Sequence, residues 1–140
     1  MTVQYLRDQR HAGVVQKVLE HKFPFPNEEN PGLETINNVA AKAMAVGTHN
    51  GNDLFPDLVI VRRPGQWLEL MAEIEMDDTV TDESALDHWK PMSEVGDLLI
   101  YVPTGMVPQA KELCKRHGIK PMGIRTWRFV PVWGLQVAEA

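Results

Sequence analysis

Cysteine is nearly missing from this chain of 140 residues, where Cys114 stands alone. That excludes an internal disulfide and a cysteine-built zinc cluster, and makes a reducing cytoplasm the simplest compartment to expect. No apolar run approaches the roughly 20 residues that a membrane span needs. Residues 1–7 lack the apolar centre of a signal peptide, so no membrane partner is expected. The chain has no G-x-x-x-x-G-K, no G-x-G-x-x-G and no G-x-S-x-G. Phosphate-loop transfer, dinucleotide chemistry and acyl transfer therefore have no support. The five histidines (His11, His21, His49, His88 and His117) show no H-x-x-x-H spacing, which argues against zinc. Internal repeats and low-complexity stretches are absent. Basic excess is missing too: the formal net charge is −5, and an acidic chain without a basic tail does not favour tight nucleic-acid binding by charge alone.

What is present suits one domain over residues 1–140, with a single core. The charge is unevenly spread. Residues 69–97 carry ten acidic groups against Lys90 alone, and residues 98–130 carry six basic groups against Glu112. Solvated surface of both signs explains this. So does a basic face beside an acidic site, as an enzyme acting on a polyanion needs. Lys111, Lys115 and Arg116 form a basic stripe at helical spacing, and Trp127 and Trp133 suit either the sheet or an interface.

Periodicity predicts a first helix from about Val3 to His21, its apolar stripe broken by Gly13. Three prolines make Phe23–Gly32 a loop. The alanine-rich segment Asn37–Val46 fits strand or helix and is assigned as strand. Thr48–Asp53 is rich in turn residues. Phe55–Val61 and Leu68–Met76 are apolar runs that flank a Pro-Gly turn and should pair as an antiparallel hairpin. Thr81 or Asp82 caps the next helix, which Pro91 should kink or divide. Asp97–Val102 is a buried strand, Val107–His117 a helix closed by Gly118, and Lys120–Val130 contains a last strand. The order αβββαβαβ implies an α/β fold with a central mixed β-sheet flanked by helices.

The hairpin carries the chemistry. Centred near Gly65, it sets Asp57 opposite Glu73, with Cβ atoms about 5 Å apart. Two bare carboxylates at that distance repel by about 3 kcal/mol at an effective dielectric near 20. Glu75, two residues on, points to the same face. A hard divalent cation between them would relieve the repulsion. The competing reading is a set of acids at strand ends facing water.

Pro56-Asp57 at the start of one strand and Glu73-Ile74-Glu75 at the end of the next, in this order of elements, resemble the restriction endonuclease-like PD-(D/E)xK nuclease superfamily. The likeness covers Asn37–Val130. It implies a metal-dependent nuclease hydrolysing phosphodiester bonds in DNA, with Mg²⁺ or Mn²⁺ held by Asp57, Glu73 and Glu75. It also implies self-association, since many members act as dimers. Glu75 stands where the family has lysine. Lys90, on the following helix, is the candidate for a displaced lysine that assists the water. Glu20, at the end of the first helix, and His88 are candidate accessory residues. The missing lysine also fits a catalytically inactive descendant that keeps the fold for protein interaction or assembly.

Overall fold

The computed structural model describes residues 2–130 and 134–139, so Trp133 lies outside the described residues. Thr2 caps α1 (Val3–Lys22), its hydroxyl accepting from the Tyr5 N–H at 3.1 Å. Val14, Val15 and Val18 recur at helical spacing and are fully buried. They pack on one face of a six-stranded sheet with Leu58, Ile60, Ala72, Ile74, Leu99 and Tyr101.

The sheet contains β1 (Leu33–Asn37), β4 (Leu58–Arg62), β5 (Trp67–Ile74), β6 (Leu98–Pro103), β7 (Gly123–Val130) and β8 (Gly134–Glu139), in that spatial order. β1, β4 and β5 pair antiparallel. β6 and β7 continue parallel to β5, and β8 returns antiparallel. The sheet is therefore mixed, as expected. Its helices cover both faces, which is why β6 reads as a continuous apolar run. Leu99 and Tyr101 join the α1 side, while Leu98, Ile100 and Val102 join the other. That second side is closed by Ala85, Trp89, Met92 and by Ala110, Leu113 and Cys114 of α4 (Val107–His117). Gly118 ends α4 in the left-handed region at φ +66° and donates to the Cys114 and Lys115 carbonyls.

Four parts of the expected order change. The strand expected over Asn37–Val46 is not formed beyond Asn37. Asn38, buried, folds that segment into a loop. Its Oδ1 accepts from the Ala43 and Met44 N–H groups, each at 2.9 Å, and its Nδ2 donates to the Met44 and Pro56 carbonyls. The turn-rich segment is the tip of a small separate hairpin, β2 (Gly47–His49) with β3 (Asn52–Leu54). Its Asn50-Gly51 turn takes positive φ at both residues, as two-residue hairpin turns favour. β8 adds a strand beyond the eight-element order. The second helical region is divided, but ahead of Pro91: α2 (Asp82–Ser84) passes into a π-helical turn, Ala85–Trp89, and then into α3 (Lys90–Val95). Thr81 is the cap, accepting from the Ser84 N–H. Pro91 lies at the second residue of α3, directly after the π-helical turn. No helix among the described residues is long and apolar enough to cross a membrane.

Candidate functional site

A cavity of about 380 Å³ opens at the carboxyl end of β5. Asp57, Glu73 and Glu75 line it together with His11 and His88. In sheets with parallel strands, ligands characteristically bind beyond the carboxyl ends.

The hairpin register brings the first two acids together. Leu58 pairs with Ala72, so Asp57, one residue earlier, lies across from Glu73. The Asp57 N–H donates to Glu73 Oε1 at 2.9 Å. In return the Ile74 N–H donates to Asp57 Oδ2 at 2.8 Å. Glu73 and Glu75 are each 4 % exposed, which is unusual for carboxylates. Glu75 is held from two sides: Trp89 Nε1 donates to its Oε1 at 3.2 Å, and Trp127 Nε1 donates to its backbone carbonyl at 2.9 Å. His88 Nδ1 stands 3.6 Å from Glu73 Oε2.

Two candidate residues stand elsewhere. Lys90 does not line the cavity; among the described residues its ammonium has no carboxylate within 4 Å. Glu20 pairs with Lys17 at 3.4 Å and is likewise absent from the lining. It lies nine residues past His11, about 13 Å further along α1.

His11 is the residue that sequence reasoning did not place. Its Nε2 lies 3.1 Å from Asp57 Oδ2 and 2.9 Å from the Ile74 carbonyl oxygen. The available signal was the polar stripe Gln4, Arg7, Asp8 and His11, one face of α1. All four line the cavity.

Charge, not hydrogen bonding, is unbalanced here. Among the described residues, no buried side-chain nitrogen or oxygen lacks a hydrogen-bond partner. Yet the acids of the lining (Asp8, Asp57, Glu73, Glu75 and Asp78) outnumber its basic groups, Arg7, His11 and His88. Burial, then the charges of Asp57 and Glu75, push the Glu73 carboxyl well above its ordinary value. Burial also raises Glu75, against a hydrogen bond from Thr79, with Asp57 adding to the rise and Trp89 opposing it. For His11, burial pulls downward. The hydrogen bond to Asp57, its charge, the bond to the Ile74 carbonyl and the charge of Glu73 outweigh it, and the pKa rises to about 9. Carboxyl groups perturbed in this way within a cleft mark a candidate functional site.

The donor set fits a hard divalent cation. Oδ2 of Asp57 and Oε1 of Glu73 are taken by backbone donors, which leaves Oδ1 and Oε2 as oxygen ligands. Among the described residues, no three His, Cys, Asp or Glu side chains already stand in a metal-holding arrangement.

No protein-family model, curated protein or solved structure matches this chain. The class defined by fold and site is a mixed α/β protein with an acidic cavity at the carboxyl end of a central strand.

Proposed function

We propose that this chain is a metal-dependent nuclease of the restriction endonuclease-like PD-(D/E)xK type that hydrolyses phosphodiester bonds in DNA. The observation that carries the reading is the Asp57–Glu73 pair: two carboxylates locked across a hairpin, one of them buried and short of compensating charge. The Pro56-Asp57 and Glu73-Ile74-Glu75 motifs and their position on paired strands support it. Asp57 and Glu73 would hold Mg²⁺ or Mn²⁺, with Glu75 as a further ligand or as the base for water. When bound, the metal would supply a water of lowered pKa and neutralise charge gathering on the phosphate. Trp89 and Trp127 hold Glu75 at the cavity wall. His11 supplies positive charge beside Asp57, on the wall that Lys90 does not reach.

A second reading is an inactive nuclease-like domain used for assembly. It is favoured by Glu75 in the lysine position and by Lys90 lying outside the cavity. The test is cleavage of single-stranded, double-stranded and branched DNA with Mg²⁺ and with Mn²⁺. The nuclease reading expects cleavage that Asp57→Ala and Glu73→Ala abolish. No cleavage of any substrate by folded protein favours the second reading.

A further inference from the structure

We propose that His11 is the positioning residue of this site, orienting Asp57 through a single shared proton; the inference rests on the metal-dependent reading above. The protonation of Nε2 follows from the contacts. A carbonyl oxygen can only accept, so the proton within 2.9 Å of the Ile74 carbonyl belongs to Nε2. The same N–H is shared with Asp57 Oδ2 at 3.1 Å. Asp57 Oδ2 therefore receives two donors, the Ile74 N–H and the His11 N–H, which fix the rotation of the carboxylate. Only Oδ1 then remains to be offered as a ligand, in one direction.

Both acceptors flank the carboxyl end of β5, so the same bond fastens α1 to the strand that carries Glu73. His88 lacks this arrangement. It stands 3.6 Å from one oxygen of Glu73, and its side chain is 53 % exposed. Among the described residues, no hydrogen bond from α2, the π-turn or α3 reaches the Asp57 carboxylate. Outer-shell donors of this kind fix ligand direction in metal sites.

The experiment is isothermal titration of the full chain with Mn²⁺ in the absence of DNA, for wild type, His11→Ala and His11→Gln. A glutamine amide carries two hydrogens on a nitrogen placed much as Nε2 is, one for each acceptor. His11→Ala should bind Mn²⁺ about 10–100-fold more weakly, the usual range for an outer-shell partner, and His11→Gln should stay close to wild type. Should His11→Ala fail to fold, His11→Leu, which keeps bulk without a donor, replaces it. Equal affinity in His11→Ala and wild type overturns the inference. So does a His11→Gln variant as weak as His11→Ala, because restoring the two N–H contacts would then have restored nothing. Both results leave the metal reading standing. A folded wild type that binds no Mn²⁺ removes that reading and this inference together.

Discussion

Glu69 and Glu73 lie four residues apart on β5 and meet opposite fates. Glu69 sits where the pairing slips between Ile60 and Val61, close to the solvent end of the hairpin. Arg62 Nε and Nη2 reach its two oxygens at 3.1 and 3.0 Å, and that hydrogen bond holds its carboxyl below the ordinary value. Glu73 faces the imidazole of His88 at 3.6 Å in place of a guanidinium fork. It is enclosed with Asp57 and Glu75, and its carboxyl moves the other way. One strand thus carries an acid satisfied by the chain itself and an acid that the chain leaves short of positive charge. The difference separates surface decoration from a site: only the second end has a reason to take a ligand.

The largest expected effect would break the comparison outright. Asp57→Ala and Glu73→Ala should cut DNA cleavage by at least about 100-fold, since even outer-shell partners are worth 10–100-fold. Glu69→Ala should leave cleavage unchanged. Comparable losses in all three, measured as kcat/KM, would erase the distinction between the two ends.

A smaller effect concerns stability. Trp89→Phe deletes the donor to Glu75 Oε1 and should cost about 1–3 kcal/mol, the range for leaving a buried acceptor unpaired. Urea denaturation measures it. Trp67→Phe, at the exposed end of β5, serves as the control and should not shift the midpoint.

The pH dependence sharpens the contrast further. His11 is raised from 6.5 to about 9, so the stability from its contact with Asp57 is complete below pH 6.5 and is lost as pH climbs through 9. Glu73 and Glu75 are raised as well, so the folded chain keeps protons that the unfolded chain has released, and rising pH again favours unfolding. The metal-free protein should therefore melt at progressively lower temperature from pH 6.5 to 9. Mg²⁺ should flatten that decline by binding the folded state alone. A melting temperature that climbs over this interval would contradict the assignment. The smallest effect belongs to the solvent end. Arg62→Ala should leave the melting curve unmoved at moderate salt, because exposed ion pairs contribute little and are screened.

Much of this contrast was legible in the sequence. Two apolar runs on either side of a Pro-Gly turn specify a hairpin, and the register follows from its centre, so Asp57 and Glu73 could be paired in advance. Asn37–Val46 was not legible, because its conformation is decided by one buried amide reaching to Met44 and Pro56 rather than by local propensity. β8 went unseen although Leu135 and Val137 alternate; the alternation is short and follows closely on β7. His11 was visible only as a polar helix residue, since which face of α1 meets the strand end is a tertiary fact. The placement of Lys90 depended on the phase of a helix that changes its winding just before that residue.

That change of winding carries its own consequence. In the turn Ala85–Trp89 the Lys90 N–H bonds to the Ala85 carbonyl, five residues back. Successive side chains therefore fan out by a smaller angle than an α-helix allows. His88 and Trp89 are sequence neighbours, yet one addresses Glu73 and the other Glu75. A regular helix would turn one of them aside. The local irregularity widens a single rung into a two-pronged clasp, so the backbone itself, rather than any extra residue, lets adjacent positions attend to two acids at once.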